Sequence, residues 1–333
     1  MSVKPEPASA LFAGPFALAT LSAPGRPRFP ALVTADSQVV DLRAALRDDA
    51  LTMRGLLEQW AVVLPLLHEF AADPGTERRP LVDFRVHAPV EPRQVLQSGA
   101  NYRQHVIDLH VAHRDPDDDR SEEDRRAEAA EIMDRRAAED LPYMFIGLPS
   151  AITGPYDDVV LPSWAEKPDW ELELAAVIGK PAYQVSVEEA LEHVAGYTIA
   201  NDLTDRATVF RRDMPQIGTD WLRSKNAPGF TPLGPWIVPA GSIADPDDVR
   251  VTLKLNGGTM QDESTKDMIF SVARMVAYAS QTTRLLPGDL ILTGSPAGNG
   301  MHWGRLLRDG DVMEGSVTGL GVQRTRCVTE AAS

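Results

Sequence analysis

The order of apolar and polar residues divides the chain into segments with different periods. Between residues 16 and 42, short apolar runs alternate with turn signals such as Pro24-Gly25, which predicts a small sheet rich in hairpins. From residue 43 to 72 the period becomes helical, with apolar positions at Leu56, Leu57, Trp60, Leu64 and Leu67. A proline-containing stretch follows at residues 80–92. We therefore predict a small N-terminal domain over residues 1–90.

Residues 113–142 form a charge-dense insertion. Ser121 and Asp124 have the spacing of a helix capping box, which predicts a helix after them. Ala130, Met133 and Ala137 then share one weakly apolar face of that helix. Two interpretations stay open: a solvated surface helix, or a lid over a site formed by the residues just before it.

From residue 150 onward most apolar runs are short and typical of strands. They lie at residues 159–161, 172–178, 196–202, 235–238, 251–255, 290–293 and 312–317. Two helical stretches, near residues 186–194 and 266–284, interrupt them. Many short strands with few helices favour an α+β, β-rich roll or barrel over a doubly wound parallel sheet. We predict one catalytic domain of this kind over residues 91–333.

Composition excludes several classes of function. The 333 residues are 43% apolar, so the chain can bury a large core. Acidic residues outnumber basic ones by 48 to 33, and the formal charge of −15 argues against a nucleic-acid-binding surface, which needs clustered Lys and Arg. A single cysteine, Cys327, excludes an internal disulfide or a Cys-rich zinc site and is expected to pack in a strand.

No apolar stretch approaches the roughly 20 residues of a membrane span. The mildly apolar N-terminal stretch, residues 9–23, is interrupted by Pro15 and preceded only by Lys4 as a basic residue, which is a poor match to a signal peptide. The expected location is the cytoplasm.

The most informative local segment is Asp169-Trp-Glu-Leu-Glu, at the start of a predicted strand. Side chains alternate between the faces of a strand, so Glu171 and Glu173 project together. Two like charges side by side cost energy unless a cation neutralises them. A third carboxylate, Asp202, lies at the end of the next strand. Three oxygen ligands suit Mg²⁺, Mn²⁺ or Ca²⁺ better than Zn²⁺, although a Glu-x-Glu pair by itself also fits a solvated strand face.

Seven segments follow one another in a fixed order, at residues 99–105, 171–173, 196–206, 224–225, 230–236, 255–261 and 287–296. Taken together, they resemble the fumarylacetoacetate hydrolase family. The resemblance covers about residues 90–328, and the first 90 residues also look like the small N-terminal domain that many members carry. It implies that family's fold, a mixed β-roll or barrel.

The resemblance also implies a set of site residues. Glu171, Glu173 and Asp202 would bind Mg²⁺ or Mn²⁺, with Ca²⁺ able to replace them in a crystal. His105 matches the catalytic histidine, Asp108 takes the position of the carboxylate that pairs with it, and Lys225 matches the active-site lysine. The implied substrate contacts are Tyr102, Arg206, Gln261, Thr293, Gly294 and Ser295.

This sequence departs from the family pattern at three places. Asp108 is one methylene shorter than the usual Glu, and Ala207 follows Arg206 where Asp is usual. Where members commonly have a lysine before a Pro-Ser pair, residues 145–150 read Phe-Ile-Gly-Leu-Pro-Ser. Without that cation the pocket is less suited to a compact anionic acylpyruvate.

The activity implied is hydrolysis of a carbon–carbon bond in a 1,3-diketone or β-keto acid. His105, oriented by Asp108, would activate water, and the metal and Lys225 would stabilise the enolate that forms. Decarboxylation, tautomerisation or hydration of a keto acid by the same groups stays open as an alternative, and so does a structural Ca²⁺ site in a binding protein. We expect a small dicarbonyl or keto-acid ligand, and a homodimer.

Overall fold

The computed structural model describes residues 12–112 and 120–331. The N-terminal stretch up to residue 11, the first part of the charged insertion (113–119) and residues 332–333 lie outside the described residues. The chain begins with a five-stranded antiparallel sheet in the order β4-β3-β2-β1-β5, and three helices lie between its third and fourth strands. The elements are β1 (Phe16–Ser22), β2 (Phe29–Thr34), β3 (Gln38–Asp41), α1 (Leu42–Leu46), α2 (Met53–Glu58), α3 (Trp60–Ala72), β4 (Arg79–Pro80) and β5 (Arg85–His87).

The region predicted to be helical, residues 43–72, contains three helices. The first break follows Arg47, which adopts a left-handed conformation at the end of α1. Thr52 begins the second helix by accepting a hydrogen bond from the Gly55 amide. The apolar face is as predicted, since Leu56, Leu57 and Leu67 are fully buried. The boundary at residue 90 stays a prediction.

The remaining elements alternate short strands with short helices. They are β6 (Val95–Ser98), α4 (Arg103–Ala112), α5 (Glu122–Glu139), β7 (Met144–Gly147), β8 (Ile152–Thr153), β9 (Val159–Leu161), β10 (Pro168–Asp169), β11 (Leu172–Ile178), α6 (Val187–Ala190), β12 (Val194–Asn201), β13 (Thr204–Asp205), α7 (Trp221–Lys225), β14 (Thr231–Pro232), β15 (Val238–Pro239), β16 (Arg250–Leu255), β17 (Gly258–Ser264), α8 (Val272–Thr282), β18 (Leu290–Leu292), α9 (Gly300–Trp303), β19 (Val312–Val317) and β20 (Gly321–Thr329). This mixture confirms the predicted β-rich α+β class.

Two larger sheets carry the core of this region. The six-stranded sheet has the order β15-β12-β11-β18-β6-β7, and the five-stranded sheet has the order β17-β16-β19-β20-β9. Strands β11 and β12 are buried along their whole length. The sheets lie so close that a Cβ at Gly315 of β19 would lie 2.4 Å from the Leu172 side chain of β11. Cys327 packs in β20 as a buried free thiol, as predicted.

One predicted strand, residues 235–238, is wrong in extent, because the observed strand is Val238–Pro239. Pro235 has no N–H to donate to a sheet. Ile237 instead exchanges two backbone hydrogen bonds with Leu18 of β1, both 2.9 Å long. This pairing joins the N-terminal sheet to the rest of the chain.

The helix predicted in the insertion is α5. The Ser121 hydroxyl accepts a hydrogen bond from the Asp124 amide, and it donates to the Asp124 carboxylate. Met133 is buried and Ala130 and Ala137 are partly buried, so the apolar face packs inward. Ion pairs fasten α5 to α4, with 2.9 Å between Arg103 and Asp134. Among the described residues, none of the helices combines the length and apolar composition that crossing a membrane requires.

Candidate metal centre

The three predicted carboxylates come together at one end of the β11–β12 pair. These strands are antiparallel with Leu172 opposite Asn201, so Glu171 and Asp202 lie side by side just beyond the ladder. The Asp202 amide donates to the Glu171 carbonyl oxygen at 2.8 Å. One carboxylate oxygen from each of Glu171, Glu173 and Asp202 lies within 4.8 Å of the others. Glu173 and Asp202 are each only 1% exposed.

Two cationic side chains face these carboxylates. The Lys225 Nζ atom lies 2.5 Å from Glu171 Oε2 and 2.5 Å from Asp202 Oδ2. The Arg206 guanidinium donates through Nη2 to Glu171 Oε1 at 2.6 Å and through Nε to Asp169 Oδ2 at 2.8 Å. We call the six residues Asp169, Glu171, Glu173, Asp202, Arg206 and Lys225 the linked cluster.

The charges of the linked cluster do not balance. When all four carboxylates are ionised, the two cations leave two negative charges for a bound ion to neutralise. Burial raises the pKa of Glu173, and the neighbouring Asp202 raises it further. Burial likewise raises the pKa of Asp202 to about 6, against the opposing effect of Lys225. An all-oxygen donor set with this deficit of positive charge fits a hard divalent cation.

Glu171 differs from the other two carboxylates. Burial favours its neutral form, but the charges of Arg206 and Lys225 outweigh burial and hold the pKa of Glu171 below its usual value. In the linked cluster, side-chain cations therefore stabilise the ionised form of Glu171. A bound cation would stabilise the ionised forms of Glu173 and Asp202.

The loop after β18 closes the cluster on the Glu173 side. The Gly294 amide donates to Glu173 Oε2 at 2.7 Å. Gly294 has φ +88°, and a Cβ there would lie 3.0 Å from Asn101, so a side chain would be strained. Thr293 and Gln261 are fully buried. Their polar atoms bond within the protein, the Thr293 hydroxyl to Leu174 O and the Gln261 amide to Ser295 and Pro296.

Helix α4 carries the predicted catalytic pair. Burial lowers the pKa of His105, while the charge of Glu171 opposes the shift. Asp108 lies three residues later, but its carboxylate accepts hydrogen bonds from Gln104 at 2.9 Å and from Arg126 of α5 at 2.8 Å. Tyr102 is fully buried, and its hydroxyl has no hydrogen-bond partner within the described residues. Burial, and then the charge of Glu173, raise the pKa of Tyr102.

Aromatic rings cover Lys225. Phe145 and Trp221 stack with ring centroids 4.5 Å apart and an interplanar angle of 13°. The Lys225 Nζ atom lies 5.7 Å from the Phe145 centroid and 6.0 Å from the Trp221 centroid. Trp221 Nε1 donates to the Tyr143 hydroxyl at 2.6 Å. The rings fix the lysine beside the carboxylates and add a cation–π attraction.

Three residues of this neighbourhood were not predicted. Asp169 is fully buried and accepts hydrogen bonds from Arg206, Trp170 and Gly300. Asn101 joins the start of α4 to the loop after β18 by donating to the Thr293 carbonyl at 2.8 Å. Asp169 lies two residues before Glu171, and Asn101 lies in the segment 99–105 that resembles the family. Both could therefore have been predicted from their neighbours in the sequence. The third residue, Gln97, lies in β6 and carries no motif.

Comparison with known proteins establishes the family. The sequence model of the protein family described as fumarylacetoacetate (FAA) hydrolase C-terminal matches residues 94–328 of this chain. This chain belongs to the fumarylacetoacetate hydrolase family. The match contains all the residues of the linked cluster, and it confirms the family predicted from the sequence motifs.

Individual relatives differ in their reactions. The 2,4-didehydro-3-deoxy-L-rhamnonate hydrolase of Sphingomonas sp. (strain SKA58) is 42% identical over 186 residues, which are 55% of this chain and 64% of that protein. The similarity thus spans less than two thirds of that relative. A probable 2-hydroxyhepta-2,4-diene-1,7-dioate isomerase from Mycobacterium abscessus has a similar structure, with 31% identity, a TM-score of 0.71 and coverage of 95% of this chain and 100% of that one.

A third relative has been solved with ligands. Maleylpyruvate hydrolase from Sphingobium sp. SYK-6, in complex with manganese(II) and pyruvate, is 25% identical with a TM-score of 0.71. The similarity covers 95% of this chain and 100% of that one. The family thus includes both hydrolases and isomerases.

Proposed function

We propose that this chain is a divalent-metal hydrolase that cleaves a carbon–carbon bond in a 1,3-diketone or β-keto acid. The observation that carries the proposal is the linked cluster with its two uncompensated negative charges, in electrostatic contact with His105. Glu171, Glu173 and Asp202 would hold Mg²⁺ or Mn²⁺. When bound, such an ion polarises a carbonyl and stabilises negative charge on an enolate oxygen. The solved hydrolase with manganese and pyruvate supports this choice of ion and of a keto-acid ligand.

His105 would act as the general base. Because burial lowers its pKa below the usual 6.5, the imidazole is neutral at pH 7 and can accept a proton from water at a ring nitrogen. The hydroxide so formed adds to the carbonyl carbon, and the bond to the neighbouring carbon breaks. The electron pair of that bond forms the enolate, which takes up the proton from His105. Lys225 stabilises the negative charge from beneath the aromatic rings.

The substrate would contact the loop after β18 and side chains next to the linked cluster. Tyr102, Arg206, Gln261, Thr293, Gly294 and Ser295 are proposed to form these contacts. The Phe145–Trp221 stack presents an apolar wall beside Lys225, and residues 145–150 lack the lysine common in the family. These two features favour a substrate with an apolar group over a compact dianion. The proposed oligomer is a homodimer, and the proposed location is the cytoplasm.

A second reaction is proposed on the same groups, namely tautomerisation or isomerisation of a keto acid. The similarity over 95% of the chain to a probable isomerase favours this alternative. A proton moved by His105 between carbon and oxygen would suffice, and water would not be consumed. Decarboxylation is a further variant, in which CO₂ leaves in place of an acyl group.

The test is a panel of acylpyruvates, β-keto acids and cyclic diketones, supplied with Mg²⁺ or Mn²⁺ in ¹⁸O-labelled water. Hydrolysis is expected to consume the enol absorbance and to place one ¹⁸O atom in the carboxylate product. Loss of absorbance without cleavage products would establish tautomerisation instead, and CO₂ release would establish decarboxylation. The Glu173→Gln variant is the control, because it retains the shape of the side chain without its charge. Full turnover by metal-free enzyme would refute the proposal.

A further inference from the structure

Gln97 is a buried residue in direct contact with the proposed metal centre. It lies in β6, is 1% exposed, and donates through Nε2 to Asp202 Oδ1 at 2.6 Å. The other Asp202 oxygen, Oδ2, faces Lys225 at 2.5 Å. The two oxygens of this carboxylate are therefore held by different partners. Gln97 fixes the rotation of the carboxylate that directs Oδ2 into the linked cluster.

The space for the Gln97 amide exists because residue 147 is glycine. β6 and β7 are antiparallel neighbours, with Val95 opposite Gly147 and Gln97 opposite Phe145. A Cβ at Gly147 would lie 2.6 Å from Gln97 Oε1 and 2.8 Å from its Cδ. Any side chain at position 147 would therefore displace the amide. Gly147 belongs to the segment in which the common lysine is absent.

The chemistry of an amide suits this position. A carboxamide donates a hydrogen bond but carries no charge, so it orients Asp202 without neutralising it. A lysine in the same space would remove one of the two negative charges that a divalent cation needs. The Gln97 Oε1 atom has no hydrogen-bond partner within the described residues, so the contact with Asp202 is the one that orients the amide.

We propose that Gln97, accommodated by Gly147, is a positioning residue that orients Asp202 for binding a divalent cation. This inference rests on the metal centre of the proposed function. Loss of a partner that orients a metal ligand commonly lowers metal affinity by about 10- to 100-fold. The Gln97 contact is expected to fall in that range, because it is the one side-chain hydrogen bond to Asp202 Oδ1 among the described residues.

The experiment measures Mn²⁺ affinity of the metal-free full chain by electron paramagnetic resonance of the free ion. Gln97→Met retains the bulk of the side chain without the donor, and its Kd is expected to rise about 10- to 100-fold. Gly147→Ala is expected to raise the Kd in the same direction, since the new Cβ pushes the amide off Asp202. In a Gln97→Ala background, Gly147→Ala should cause no further rise, because the displaced group is already absent.

The outcomes separate this inference from the proposed function. Wild-type protein that takes up no Mn²⁺ would overturn both. Tight binding by the wild type, together with Kd values for Gln97→Met and Gly147→Ala that are unchanged from the wild-type value, would overturn only the role of Gln97. Additive effects of Gly147→Ala and Gln97→Ala would also overturn it, because they would indicate that Gly147 acts independently of the amide. Circular dichroism of each variant verifies the fold. If Gln97→Met misfolds, the Mn²⁺ Kd of Gly147→Ala decides whether Gln97 has the proposed role.

Discussion

Two histidines, His105 in the candidate metal centre and the buried His87 in the N-terminal sheet, have pKa values shifted in the same direction. Burial lowers the pKa of His105 of α4, although the charge of Glu171 opposes the shift. His87 of β5 has its pKa lowered to about 4 by burial and then by the charges of Arg28 and Arg85. The neighbours of the two rings are different. His105 lies near a carboxylate of the linked cluster, whereas Nε2 of His87 lies 2.7 Å from the Ser22 hydroxyl.

The difference teaches that a lowered pKa does not by itself identify a catalytic histidine. Burial next to cations produces the same shift in a structural residue. What distinguishes His105 is a cluster of carboxylates that can hold a cation and, through it, a substrate. Near His87, the Asp157 carboxylate is already occupied by Arg85, at 2.7 Å.

The largest effect is expected for the histidine in the metal centre. His105→Ala should lower kcat by about 10²- to 10⁴-fold if the ring is the general base. His87→Ala is the matched control and should leave kcat unchanged. Steady-state rates on the best substrate of the panel measure both. Equal losses in the two variants would indicate that both act through folding alone.

The second prediction concerns the buried lysine. Lys225→Met should lower the free energy of unfolding of the metal-free protein by about 3–5 kcal/mol, because it leaves Glu171 and Asp202 without their shared cation. Saturating Mn²⁺ should recover part of this loss by supplying positive charge. Urea unfolding with and without metal measures it, with the exposed Lys254→Met as the control. Unchanged stability would mean that the carboxylates do not need this cation.

The third prediction is the pH dependence contributed by His87. Its folded-state pKa of about 4 lies below the usual 6.5, so the unfolded state binds the proton first as the pH falls. The stability that the neutral His87 ring contributes is therefore fully present above pH 6.5, and it is lost as the pH falls from 6.5 to about 4. We expect about 1–2 kcal/mol after allowance for solvent screening. His87→Gln should flatten the unfolding free energy across this window, and an unchanged slope would contradict the prediction.

The smallest effect is expected at the contact between α4 and α5. Arg126→Ala removes the 2.8 Å ion pair with Asp108, which is partly exposed, so stability should change by less than about 1 kcal/mol. The Asp108 carboxylate, which keeps its hydrogen bond from Gln104, loses its cationic partner and can then act on His105, as the family resemblance implies. We expect kcat to rise by less than about fivefold. A fall in kcat would favour α5 as a required cover of the site over a passive surface helix.

Much of the fold was predictable because it depends on local patterns. Short apolar runs predicted β11, β12, β16 and β19. The helical stretch predicted near residues 266–284 contains α8, which is shorter and begins at Val272 after the Ser271 cap. The predicted helix near 186–194 is a four-residue α-helix followed by a 3₁₀ turn at Leu191–His193. The boundary of the strand predicted at residues 235–238 shifted because a distant segment competed, since Ile237 pairs with Leu18.

The sequence by itself determined the carboxylates of the centre. Glu171 and Glu173 share a face because an extended chain has a period of two, and Asp202 directly follows β12, the strand that pairs with β11. Only the tertiary structure decided which groups neutralise or orient them. Lys225 and Gln97 reach the same aspartate from 23 and 105 residues away along the chain. The tertiary structure also places Arg126 where it donates a hydrogen bond to Asp108, although helical spacing would have allowed Asp108 to pair with His105. Contacts of this kind depend on the packing of whole sheets, and no local pattern records them.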